Sequence, residues 1–137
     1  MKLVDTNVFI YSAGAPHPYK DSCRQLIQLL GEGEMDGNID IEVPQELMHF
    51  YHSKRRTQEA TITVVEALKM FTNPILVTGA TMLMAADILT RYPHLQSRDA
   101  VHAAVVLEHN LEGIISADRG FDNIPGLTRF DPKELVA

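Results

Sequence analysis

The chain of 137 residues has one cysteine, Cys23, no tryptophan, and fewer basic than acidic residues, 12 against 18. A single cysteine closes no internal disulfide, so the fold must rest on its core and a reducing, cytoplasmic setting is expected. No uninterrupted apolar stretch approaches the ~18 residues that cross a bilayer. Asp5 stands where a signal peptide would carry its apolar centre, so neither membrane insertion nor secretion is expected. Four Tyr and five Phe are too few to pave an open single-strand groove with stacking rings. A net charge of −6 argues against holding nucleic acid by bulk electrostatics alone. That exclusion is limited, because four acids committed to a divalent cation would leave the remaining surface near neutrality, with the cation supplying positive charge at the point of contact.

What is present is ordinary for a globular chain: 45% hydrophobic and 22% charged residues, with no repeat and no Pro/Gly/Ser-rich linker. The length suits one domain over 1–137. Leu3-Val4 reads as a short strand that stops at Asp5-Thr6-Asn7. Cys23, Leu26, Ile27 and Leu30 recur at helical spacing, and Gly31 and Gly33 end that helix. Ile39, Ile41 and Val43 alternate with Asp40 and Glu42, which predicts a strand with one wet face, followed by a helix opening at Pro44. Thr57 can cap a further helix with Val64, Leu68 and Phe71 on one face. Ile75-Leu76-Val77 reads as a buried strand, and 81–92 as a helix with Met82, Ala86 and Leu89 inward. Ser97 is a suitable cap for a helix over 98–109 with a thin face of Ala100, Ala104 and Leu107. Strands at 114–116 and 128–130 complete the pattern. Short apolar strands alternating with amphipathic helices predict an α/β fold with a mostly parallel sheet covered on both faces.

Four acids occupy corresponding places in that pattern. Asp5 and Asp118 follow strands, while Glu46 and Asp99 open helices. In a parallel sheet those positions share one edge, where sites form. Four ionised carboxylates gathered there repel one another unless a cation joins them. A set of Asp and Glu oxygens suits Mg²⁺ or Mn²⁺ rather than Zn²⁺, and the chemistry such an ion supports is phosphodiester hydrolysis. Taken singly, Glu46 and Asp99 read equally as helix-start acids complementing the dipole, and Asp118 as a turn residue. Asp5, ending an apolar strand, is harder to explain in that way.

The stretches Leu3-Val4-Asp5-Thr6-Asn7-Val8, Pro44-Gln45-Glu46-Leu47, Arg98-Asp99-Ala100-Val101-His102-Ala103 and Ile115-Ser116-Ala117-Asp118-Arg119-Gly120-Phe121-Asp122 occur in this order. Together they resemble the PIN-domain family of metal-dependent ribonucleases, in particular the small VapC-type toxins of toxin–antitoxin pairs. The resemblance implies an α/β/α sandwich, with Asp5, Glu46, Asp99 and Asp118 as catalytic, metal-binding acids. It also implies that Thr6, Asn7 and Ser116 position metal, water or phosphate. An RNA substrate, products with 5′-phosphate and 3′-hydroxyl ends, a cognate antitoxin and a homodimer are further implications. Relatives often carry another acid two residues after the one at Asp118; here that place is Gly120, and Asp122 lies two residues further on.

Arg98 and Arg119 each neighbour a proposed ligand and are candidates for balancing the carboxylates or gripping phosphate. Lys54-Arg55-Arg56 reads as a solvated cluster able to touch RNA. His49 and His52 lack a third zinc ligand and read as surface or dimer contacts. His102 and His109 read as helix packing or partly exposed residues, and Cys23, Met82 and Met84 as core. Two rivals stay open: a PIN-like RNA- or protein-binding module without activity, and a haloacid-dehalogenase-like phosphatase. The latter wants a second Asp two residues after the first, where this chain has Asn7.

Overall fold

Alternation along very short strands divides the core in two. The computed structural model describes residues 1–137. Strand β1 (Lys2–Val4) is flanked by β2 (Gly37–Asn38) and β3 (Ile114–Ile115), and β3 by β4 (Arg129–Phe130). All pairings are parallel, in the order β2-β1-β3-β4. Leu3 and Ile114 point to one face and pack with helices α5 (Gly79–Arg91) and α6 (Ser97–Glu108). Val4 and Ile115 point to the other and pack with α1 (Thr6–Ala13), α2 (Lys20–Gly31), α3 (Glu42–Ser53) and α4 (Thr57–Met70). A short α7 (Pro132–Leu135) closes the chain. Because both faces are covered, the central strands are apolar at Leu3-Val4 and Ile114-Ile115, as a parallel sheet requires, and the expected α/β class with a parallel sheet is what the chain forms.

Chain order runs outward from β1 in both directions, to β2 on one side and β3 on the other. The carboxyl end of β1 is therefore the switch point of the sheet, where a crevice opens. Asp5 stands there. Its carboxylate accepts from the Thr6 amide at 2.7 Å and caps α1, so Val8-Phe9-Ile10 enter a helix instead of resuming a strand. Gly113 lets β3 reach β4: a Cβ there would lie 2.2 Å from the Thr128 carbonyl oxygen.

Four sequence expectations are corrected. The strand over 39–43 does not form: sheet pairing ends at Asn38, apart from one parallel bridge between Asp40 and Ile75, and α3 begins at Glu42. Asp40 causes this. Its Oδ1 accepts from the amides of Glu42 and Val43 at 3.1 and 3.2 Å, turning the chain into a helix. The expected strand 75–77 shrinks to that same bridge. In α5 the inward residues are Thr81, Ala85 and Ile88, one position before those expected, which leaves Met82 half exposed. The cause is a capping box between Thr78 and Thr81, with the Thr81 hydroxyl donating to Glu108 Oε1 at 2.7 Å; it fixes the rotation of the first turn. In α4 the buried residues are Ala60 and Ala67, and Leu68 is exposed.

Candidate active site

At the carboxyl edge of the sheet, Asp5 is 3% exposed and surrounded by donors. Its Oδ2 accepts from Ser116 Oγ at 2.6 Å and from Asn7 Nδ2 at 3.3 Å. Asn7 Nδ2 also reaches Ser116 Oγ at 3.1 Å, and Ser116 Oγ accepts from the Asp118 amide at 3.0 Å. One serine thus ties the acid at the end of β1 to the acid beyond β3. Asp118 then caps the short 3₁₀ turn Arg119–Phe121 through the Gly120 amide. Helix α6 supplies Asp99 in its first turn; the capping position is Gln96, and Ser97 is already helical. Helix α3 supplies Glu46 in its second turn.

Asp99 feels the charges of the other three acids. Burial and then the charges of Asp5, Asp118 and Glu46 push the Asp99 carboxyl up to about 7, with His102 opposing. Burial likewise raises Asp5, and Glu46 adds to it, while His102 and the Ser116 hydrogen bond pull it down. A buried carboxyl raised this far by like charges is a candidate functional group.

His102 was expected to pack in its helix or to be partly exposed; it packs inside, but against carboxylates. The ring is fully buried. Its Nδ1 meets Asp40 Oδ2 at 2.6 Å and its Nε2 meets Glu46 Oε1 at 2.5 Å, with Asp5 Oδ1 at 3.7 Å. Burial opposes the charged ring, but Asp40, Glu46 and Asp5 outweigh it and hold its pKa well above the ordinary value. Sequence reading missed this residue and its partner Asp40. The available signals were an acid inside an otherwise apolar run and a histidine one helical turn after Asp99, on the same face.

A cavity of about 310 Å³ opens beside Glu46, lined also by Thr6, His49, Lys54, Gln96 and Arg98 among others. Lys54 and Arg98 bring positive charge to it. Arg119 sits exposed on the 3₁₀ turn, and Arg56 is taken up by Glu59. Asp122 is engaged by Arg129, whose guanidinium also donates to the Ser116 carbonyl at 3.0 Å. Asp122 therefore braces the strand behind Ser116. His52 bonds Thr57 Oγ1 and His109 pairs with Glu108 at the surface.

The donor set suits a divalent cation. Ligand atoms of Asp5, Glu46 and His102 all lie within 4.8 Å of one another. The hydroxyl of Thr6, also at this edge, is buried with no hydrogen-bond partner. An orphaned buried hydroxyl beside clustered carboxylates is what an ion or its bound water would satisfy.

The family model described as PIN domain matches residues 2–127. Ribonuclease VapC13 of Mycobacterium tuberculosis is 37% identical over 130 residues, covering 94% of this chain and 98% of that protein. Ribonuclease VapC7 of the same organism is 27% identical over 136 residues, 96% and 92% of the two chains. Among solved structures, a toxin–antitoxin complex from Klebsiella pneumoniae superposes with a TM-score of 0.68 at 21% identity, covering 96% of this chain and 98% of its own. VapBC2 from Rickettsia felis, bound to a DNA fragment from its promoter, gives 0.69 at 16%, with 95% and 98% covered. These two likenesses speak to the fold.

Proposed function

Since the chain belongs to the PIN-domain family, we propose that it is an endoribonuclease that depends on Mg²⁺ or Mn²⁺ and acts as the toxin of a toxin–antitoxin pair. One observation carries the reading. Carboxylates from four separate elements are close enough that Asp99 is driven up to about 7 by burial and its neighbours, a cost that a bound cation removes. Asp5, Asp99, Asp118 and Glu46 would hold the ion. When bound, such an ion neutralises charge on the phosphoryl oxygens and acidifies a water.

This chain's own groups do the rest. Ser116 and Asn7 hold Asp5 in one orientation. Thr6 offers a free hydroxyl to water or phosphate. Arg98 and Lys54 meet the phosphodiester from the cavity wall. The Glu46 oxygen not engaged by His102 is left to face the ion.

Partners follow from the same premise. The relatives are named as VapC ribonucleases and the structural neighbours as toxin–antitoxin assemblies, which supports RNA as substrate and a small antitoxin as regulator. Exposed apolar residues on α4 and α5 (Ile62, Val65, Met82 and Leu83) supply surface for a protein partner, a second copy included. No helix is long and apolar enough to cross a membrane.

The test is cleavage of RNA by the purified chain with Mg²⁺ or Mn²⁺, repeated in chelator and with Asp5→Asn. Cleavage that needs the cation and disappears in the folded variant is expected. Undiminished cleavage in chelator would overturn the metal mechanism. A chain that never cuts but still binds RNA would be the inactive module, and hydrolysis of a simple phosphate monoester in place of RNA would favour the phosphatase.

A further inference from the structure

We infer that Asp40 and His102 are positioning residues that fix where the Glu46 carboxylate stands over the acidic cup, an inference that rests on the metal-dependent reading above. The three side chains close a ring. Asp40 Oδ1 holds the first amides of α3, those of Glu42 and Val43. Asp40 Oδ2 meets His102 Nδ1 at 2.6 Å across to α6. His102 Nε2 returns to α3 one turn further on, meeting Glu46 Oε1 at 2.5 Å. Asp40 and His102 are both wholly buried, whereas Glu46 lines the cavity beside Thr6 and Arg98. The brace is thus inside the protein, and the braced carboxylate faces the ligand space.

A purely structural role explains this poorly. Burying a carboxylate and an imidazole is costly, and an apolar pair of similar volume would join two helices at least as well. What an apolar pair cannot do is aim a carboxylate. A flexible glutamate in a rim of like charges has every reason to swing toward solvent, and a doubly anchored imidazole prevents that. The arrangement is the one in which an outer carboxylate orients a histidine and the histidine orients a group of the site, and losing such partners typically lowers metal affinity ten- to a hundredfold.

The test is Mn²⁺ binding by calorimetry to the full chain without RNA, comparing wild type, His102→Gln, Asp40→Asn, Glu46→Gln and Glu46→Gln combined with each. Melting curves in chelator establish that each variant is folded. His102→Gln and Asp40→Asn should each weaken Mn²⁺ binding about ten- to a hundredfold. Added to Glu46→Gln, either should change nothing further, because both act through Glu46. Wild-type affinity in folded His102→Gln, or losses that multiply in the double variants, would overturn the inference. Nitrogen hyperfine coupling on the bound Mn²⁺ would also overturn it, by making His102 a ligand. If His102→Gln does not fold, the Asp40→Asn cycle decides alone. A wild-type chain that takes up no Mn²⁺ at all sinks the metal reading and this inference with it, whereas metal binding indifferent to His102 and Asp40 sinks only this one.

Discussion

Replacing Asp99 with asparagine should make the metal-free protein more stable, and only where the wild-type carboxyl would be charged. In the fold this carboxyl is raised from 3.8 to about 7 by burial and by Asp5, Asp118 and Glu46. A group raised in this way contributes stability that is full below its unfolded pKa and is lost as pH rises through the folded one. The shift spans roughly three pKa units, each about 1.4 kcal/mol, so the ceiling on the loss is about 4 kcal/mol. Asp99 is partly open to solvent and shares its repulsion with three other acids, so about half of that, about 2 kcal/mol, is the expected gain. For a chain of this length that corresponds to roughly 7 °C in melting temperature. His102, raised in the same direction, is present in both proteins and drops out of the difference. Thermal melts in chelator should therefore show wild type and Asp99→Asn nearly coincident at about pH 4, diverging between about pH 4 and 7, and separated by a constant gap above. Mn²⁺ added at pH 8 should raise the wild-type curve and leave the variant's in place. A gap independent of pH, or a variant less stable than wild type at pH 8, would refute the idea that these acids repel one another in the empty cup.

Two further outcomes follow from the packing. Thr6→Val removes the one buried hydroxyl without a partner, so melting in chelator should be unchanged or slightly higher, while Mn²⁺ affinity measured by calorimetry should fall roughly tenfold. Ile88→Ala, on the inward side of α5, should cost about 2–4 kcal/mol in urea unfolding, whereas Met82→Ala, half exposed, should stay within about 0.5 kcal/mol.

How much of this was readable in advance depended on which force set each feature. The sheet and its covered faces were legible because burial on both sides demands apolar strands, as at Leu3-Val4 and Ile114-Ile115. The places of Asp5, Asp99 and Asp118 in their elements were legible because strand ends and helix starts share an edge in a parallel sheet, whereas Glu46 lies a turn deeper in α3 than expected. The start of α3 was not, because one side chain, Asp40, overrides the alternation of Ile39, Ile41 and Val43 by capturing two amides. The rotation of α5 was hidden for a similar reason: Thr81 is polar, yet it faces inward to bond Glu108. His102 gave only the local signal of its place one turn after Asp99, since its meaning comes from partners 62 and 56 residues away in the chain.

The claim beneath all of this is that one divalent ion sits among Asp5, Glu46, Asp99 and Asp118. Anomalous scattering from crystals soaked in Mn²⁺ tests it most directly. The account predicts a peak at about 2.2 Å from oxygens of Asp5 and Asp99, absent in Asp99→Asn crystals soaked alike. A soaked wild-type crystal with no peak at this edge, or with its strongest peak elsewhere on the molecule, would contradict it.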